Sequence, residues 1–291
     1  PLGYQNSELS HICMHYDSVQ QYAEDLYHYT QAKSKNFAHI AALFDKNARQ
    51  LNKNILQIEN EYYSNIRPKP KYQPGEKPSI SLFQHGVEYI EIRIFDLNPF
   101  EPLGITRQQI TFTDVLLTHC LINKKTMCTP QQAKRNTANV IAHGRNSKTQ
   151  IQYDSHNQDI HSAANQLLQE LQTTARWMDN LSDDNSHEQA VLVQLEKIQS
   201  RDQLINTKML SRLDDYQDHM LELATQHNDH FRSTAIPSAT LAHFQETAHQ
   251  ANVEQAKQET LDANTSFRDF YESYQSQPSL LHERLQKEKK K

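Results

Sequence analysis

Glycine is scarce in this sequence: the 291 residues include five, Gly3, Gly75, Gly86, Gly104 and Gly144. No two stand close enough for a G-x-G-x-x-G turn or a P-loop, so any nucleotide must be held by other means. Cysteine is scarce as well. Cys13, Cys120 and Cys128 are an odd set without framework spacing, which fits a reducing compartment and a cytoplasmic location. No apolar run has membrane-spanning length and no signal-peptide pattern follows Pro1, so no membrane partner is expected. A basic surplus is also missing: 30 Lys and Arg stand against 35 Asp and Glu, a net charge of −5. That balance excludes a general nucleic-acid binder. The 16 histidines form no H-E-x-x-H pattern. His11-Ile-Cys13-Met-His15 places donors at alternate positions but falls short of the four that zinc wants. The chain opens on Pro1 without an initiator Met, which raises the expectation of sequence upstream; a processed terminus is the alternative.

What is present divides in two. Residues 1–155 read as a mixed α and β piece, and residues 156–291 as a helical region. Residues 17–32 read as a helix, capped by Asp17 or Ser18, with Val19, Tyr22, Ala23, Leu26 and Tyr27 at helical spacing. Phe37, Ile40, Ala41 and Phe44 suggest a further amphipathic turn. Helices are expected over 106–123 and from Thr129-Pro130 to about Ala142. After Tyr153 nearly everything reads as helix. Ile160 to Leu181 carries Leu167, Leu168, Leu171, Ala175 and Met178 on one face, with Trp177 beside them as core. Ser186 caps the next helix, and 201–232 and 238–275 add long polar ones. Cys120 reads as a buried thiol and Cys128 as exposed.

Between the helices the period changes. Asn54 to Tyr63 and Glu88 to Phe95 alternate and are rich in β-branched and aromatic residues, so both are expected as strands. The intervening RPKPKYQPGEKP, Arg67 to Pro78, carries four prolines and reads as an exposed loop with three solvated lysines. Side chains alternate faces along a strand. Ile90, Ile92 and Ile94 therefore share a face, expected to be core; Tyr89, Glu91, Arg93 and Phe95 share the other. Gln57, Glu59, Glu61 and Tyr63 align in the same way in the first segment, opposite Leu56 and Ile58. A carboxylate and a guanidinium two residues apart fit either an ion pair on a solvated sheet or a surface that holds a divalent cation and a phosphoryl group.

LQIENEYYSNIRPK (Leu56–Lys69), then GVEYIEIRIFDLNPFEPLGI (Gly86–Ile105), closely resemble the glutamate–cysteine ligases of the proteobacterial type. The family shows N-x-L-Q-I-E-N-E-x-Y-x-x-I-R-P-K, then G-[IV]-E-Y-[IL]-E-[IV]-R, then D-[IL]-[ND]-P-F-x-P-x-G. PLGYQN at the start is similar to its S-x-L-G-Y-x-N segment. The resemblance implies ATP-dependent ligation of the γ-carboxyl of L-glutamate to L-cysteine, the first step of glutathione biosynthesis. It implies ATP and Mg2+ as cofactors, and glutamate and cysteine as substrates. It implies an α+β fold, part of an antiparallel sheet funnel like that of glutamine synthetase, followed by a large helical region. By position, Glu91 matches a magnesium ligand, Arg93 the arginine at the transferred phosphoryl group, and Tyr4 and Tyr63 tyrosines of the cysteine pocket.

Family members are considerably longer at the N-terminus, and the arginine just upstream of their Leu-Gly-Tyr segment has no counterpart here. The chain thus resembles the C-terminal portion alone. As a fragment it is expected to be inactive by itself and to need the N-terminal half in cis or in trans. Two other readings stand beside this one: a related ligase joining glutamate to another amine, and a truncated chain with a binding or structural role.

Overall fold

The structure, a computed structural model, describes residues 8, 12–71, 75–123, 128–144, 146–154, 156–182 and 185–277. In chain order the elements are α1 (Val19–Gln31), β1 (Ile66–Lys69), α2 (Pro78–His85), β2 (Tyr89–Ile92), α3 (Arg107–Ile122), α4 (Pro130–His143), β3 (Gln150–Tyr153) and β4 (His156–Asp159). Helices α5 (Ile160–Ser182), α6 (Ser186–Gln199), α7 (Ile205–Leu210), α8 (Tyr216–Ser233), α9 (Ser238–Asp262) and α10 (Phe267–Ser276) follow. The fold is mixed: mostly helix, with two small sheets of two strands each. The chain separates into two compact units, one made of the residues up to Phe95 together with those from Ile236 on, the other of Asp96–Ala235. Residue 155, the boundary expected from composition, lies between β3 and β4.

In the first unit α1 starts as its sequence demands. The Ser18 hydroxyl accepts the Gln21 N–H at 3.1 Å, satisfying one orphan donor of the first turn. Tyr22, Ala23, Leu26 and Thr30 then form the buried face. Tyr22 and Leu26 share a core with Ile12, Met14, Leu56 and Leu82. The turn foreseen over Phe37 to Phe44 is present as bends and turns rather than helix.

The strand expected over Asn54–Tyr63 does not form. Leu56 enters the core, Glu59–Glu61 makes one 3-10 turn, and a single isolated bridge joins Asn54 to Lys33. Polar side chains compete with a ladder here. The Leu51 N–H donates to Gln57 Oε1 at 2.7 Å, Asn52 Nδ2 to the Gln57 carbonyl at 2.9 Å, and the Gln57 N–H to Glu61 Oε2 at 2.6 Å. The strand is shifted forward, into the segment read as loop. β1 pairs antiparallel with β2, placing Ile66 opposite Ile92, Arg67 opposite Glu91, Pro68 opposite Ile90 and Lys69 opposite Tyr89. A proline is tolerated because each strand has only one neighbour among the described residues. Lys77 is buried rather than solvated: its Nζ donates to Gln275 Oε1 at 3.3 Å and lies 4.9 Å from the centre of the Tyr274 ring. The isoleucine face of β2 is no core either. Ile90 is 48% exposed and Ile94 57%, since a two-stranded ladder has little with which to cover a face. Helix α10 is held by Tyr271, whose buried hydroxyl accepts from Asn52 Nδ2 at 3.1 Å.

In the second unit, Thr106 with Gln109 and Thr129 with Gln132 form capping boxes at the starts of α3 and α4. Val115, Leu168, Leu171, Ala175 and Val191 make the core where α3, α5 and α6 meet, with Leu167 and Met178 packed against it. The face predicted for α5 is therefore the buried one. Trp177 lies outside it, 49% exposed, and Cys120 is exposed on α3. Both sit on helix positions turned away from the shared core. The hairpin β3–β4 is an element the helical reading of this region passes over. Its outer partner is α4: Asn136 Nδ2 donates to the Gln152 carbonyl at 2.7 Å and Asn136 Oδ1 accepts the Gln152 N–H at 2.9 Å.

Candidate functional site

The polar face of the β1–β2 ladder gathers the residues singled out in the sequence. Glu91, in β2, and Arg93, the first residue past its end, meet on one side of the chain. Arg93 Nε donates to Glu91 Oε1 at 2.9 Å and Nη2 to Oε2 at 3.1 Å, a two-pronged pair. From β1, Lys69 Nζ lies 3.5 Å from Glu91 Oε2. The Arg93 guanidinium stands over the Tyr63 ring, 5.1 Å from its centre. Tyr63 itself is 69% exposed. The hydrogen bonds from Arg93, then the charges of Arg93 and Lys69, hold the Glu91 carboxyl below the ordinary value. The same bond pushes Arg93 further up.

Arg67, opposite Glu91 in the ladder, leads into a buried polar network that the strand reading missed. Glu59, almost wholly inaccessible, turns its carboxylate onto Ser79, accepting the main-chain N–H at 2.7 Å and also the hydroxyl. Burial pushes its pKa up, and the Ser79 bonds and the charges of Lys77 and Arg67 partly offset that. Arg67 Nη2 donates to the Glu59 carbonyl at 3.1 Å. This fixes the 3-10 turn that leads into Tyr63. The sequence held one signal of it: Arg67 and Lys77 are cations in a proline-rich segment otherwise read as surface.

Glu91, Arg93 and Tyr63 are thus brought together, and Tyr4 lies outside the described residues. Among the described residues no group of three His, Cys, Asp or Glu could hold a metal ion. Cys13 and His15 belong to other contacts: the Cys13 N–H donates to the Tyr29 hydroxyl at 3.2 Å, and His15 pairs with Asp25 at 2.8 Å. His11 is outside the described residues. No described helix is long and apolar enough to cross a membrane.

Comparisons with known proteins place the chain in a family. A model of the glutamate-cysteine ligase family matches residues 1–142. The chain is 34% identical over 285 residues to a glutamate–cysteine ligase of Alcanivorax borkumensis, covering 94% of this chain and 54% of that protein. It is 30% identical over 282 residues to one from Pseudomonas fluorescens, covering 94% and 53%. The solved glutamate–cysteine ligase of Francisella tularensis in complex with AMP superimposes with a TM-score of 0.79 at 28% identity, over 93% of this chain and 55% of that one. A bifunctional glutathione synthetase from Pasteurella multocida shares the fold at a TM-score of 0.50 and 19% identity, over 76% of this chain and 25% of that one. The class is therefore that of the ligases. Within it, the chain belongs to the glutamate–cysteine ligase family, and it spans about half the length of the curated relatives it matches.

Proposed function

We propose that this chain contributes one wall of a site that joins the γ-carboxyl of L-glutamate to the amine of L-cysteine with ATP, the first step of glutathione synthesis. The observation that carries the reading is the convergence of Glu91, Arg93 and Tyr63 at the end of the β1–β2 ladder. ATP phosphorylates the glutamate γ-carboxylate, and the cysteine amine then displaces phosphate from the acyl phosphate. Such chemistry is mostly positioning and charge neutralisation. Arg93 neutralises the transferred phosphoryl group and Lys69 adds a second positive charge beside it. Tyr63, with Tyr4, shapes the cysteine pocket.

Mg2+ fits Glu91 as one share of a coordination sphere. The ion commonly takes one or two carboxylates and completes its shell with substrate phosphates. Glu91 is kept ionised by its neighbours, as a ligand must be. When bound, the ion supplies charge neutralisation on the phosphates.

The proposed setting is an antiparallel funnel like that of glutamine synthetase, with further strands supplied by sequence outside this chain. The exposed Ile90 and Ile94 support this, and so do strand edges that are unpaired among the described residues, because an uncovered apolar face and open edges suit a wider sheet. The chain alone is then inactive and binds ATP with Mg2+ weakly. Calorimetry of the isolated chain with that pair tests the second point, and tight binding would contradict it. Mixing the chain with the remaining half of a family enzyme should release ADP continuously only when glutamate and cysteine are both present. In that mixture Glu91→Gln should lower turnover by roughly a hundredfold or more. Near-normal turnover removes Glu91 from the metal.

A further inference from the structure

A cavity of about 300 Å³ opens into the first unit between β1, α1 and α2, with Lys69 and Tyr89 of the ladder in its wall. Two groups in its wall lack the partners their burial calls for. Tyr22 is 2% exposed, and its hydroxyl, beside the Arg67 guanidinium, makes no hydrogen bond of normal geometry among the described residues. Arg67 is 4% exposed, and its hydrogen bonds end on neutral oxygens, the Glu59 carbonyl at 3.1 Å and Asn60 Oδ1 at 3.4 Å. Glu59, whose charge acts on Arg67, gives both carboxylate oxygens to Ser79. A buried cation hydrogen-bonded to no carboxylate and a buried hydroxyl without an acceptor are each costly. One occupant relieves both.

We infer that this cavity is a binding site for an oxyanion, the phosphate or carboxylate group of a small molecule, held by the Tyr22 hydroxyl and the Arg67 guanidinium. Burial keeps the phenol protonated and so a donor. Of the other charged groups in the wall, Glu76 accepts the Ser81 hydroxyl and Lys69 leans toward Glu91. Neither competes for Arg67. The Tyr89 and Tyr274 side chains line the same cavity. The inference does not depend on the ligase reading, since neither Glu91 nor Arg93 takes part.

The test is calorimetric titration of this chain at neutral pH with inorganic phosphate and, separately, with acetate. Binding of at least one is expected, and the tighter of the two identifies the group. Tyr22→Phe preserves the ring and removes the donor; it should weaken that binding about tenfold, the worth of one hydrogen bond to a charged group. The same anion should raise the melting temperature of the unmodified chain more than that of Tyr22→Phe. Absence of binding by both anions overturns the inference. So does equal binding by Tyr22→Phe, which leaves the hydroxyl a merely tolerated orphan. Loss of binding in Arg93→Gln with Tyr22→Phe unaffected moves the anion to the Glu91–Arg93 face and also overturns it, while leaving the ligase reading intact.

Discussion

The carboxylate of Glu59 and both donors of Ser79, twenty positions apart, are joined inside the first unit, the main-chain N–H at 2.7 Å from Oε2. Ser79 is the second residue of α2, where the backbone N–H has no partner within the helix. Glu59 therefore caps α2 from outside while its own main-chain carbonyl receives Arg67. One side chain ties a turn, a helix start and a strand.

The buried carboxyl has a pH consequence. Its pKa in the folded chain is raised above the ordinary 4.5, so its protonated form favours folding. That contribution is full below the ordinary value and is lost as pH rises through the raised one. Glu59→Gln should remove this slope. Urea unfolding of both chains between pH 4.5 and 8 should give curves that separate with rising pH as the wild type falls below the variant. Parallel curves would mean that Glu59 ionises as freely folded as unfolded. At low pH the two chains should be about equally stable, since the protonated carboxyl and the Gln amide each offer Ser79 one carbonyl acceptor and one donor.

On the exposed face the sign is opposite. Glu91 is held below 4.5, chiefly by the hydrogen bonds from Arg93. The pair is complete above that value and is lost as pH falls through the lowered one. Arg93→Gln should return the Glu91 carboxyl toward 4.5, followed by its carbonyl carbon resonance in an acid titration. Lys69→Ala should move it less, because that contact is single and longer, 3.5 Å against 2.9 Å. An unchanged Glu91 titration in Arg93→Gln would mean the two-pronged pair does not form in solution.

Much of the helical framework could be read from local signals. Ser18, Thr106 and Thr129-Pro130 mark helix starts within a residue or two, and the apolar spacing of α5 names its buried face. The Glu91–Arg93 side of β2 was equally legible, because alternation is a local rule. What escaped depends on partners far along the chain. Glu59 looks like a solvated strand residue until Ser79 is brought to it. His156–Asp159 has little intrinsic strand preference, and its hairpin is steadied by Asn136 on α4. The isoleucines of β2 were misjudged for a related reason. A sequence pattern tells which face is apolar but not whether this chain has anything to lay on it.

The core of the second unit offers a stability test. Leu171 has no accessible surface and shares its core with Val115 and Val191. Leu171→Ala should cost about 2–5 kcal/mol, the transfer term plus the cavity left behind. Chemical unfolding checks it, and a loss below 1 kcal/mol would mean the surrounding helices collapse onto the gap.

Asp179, in the last turns of α5, receives the first N–H groups of α6: His187 at 3.0 Å on Oδ1 and Glu188 at 2.8 Å on Oδ2. The His187 ring meets the same Oδ1 at 2.6 Å. Asn185 makes no side-chain cap of its own, so Asp179 does that work from the neighbouring helix. Burial alone would raise its pKa, but the two amide bonds and the His187 ring outweigh that and hold it below 3.8. The stabilisation is therefore present above 3.8 and disappears as pH falls through the lowered value. Asp179→Ala should cost about 1–2 kcal/mol at neutral pH, the usual worth of a helix cap. The difference between the two chains should narrow as the solution is acidified, because protonation weakens the wild-type carboxylate as an acceptor while the alanine has nothing to lose. Melting curves at neutral pH and near pH 3 decide it. A penalty that stays constant between them would assign Asp179 a packing role in place of the electrostatic one.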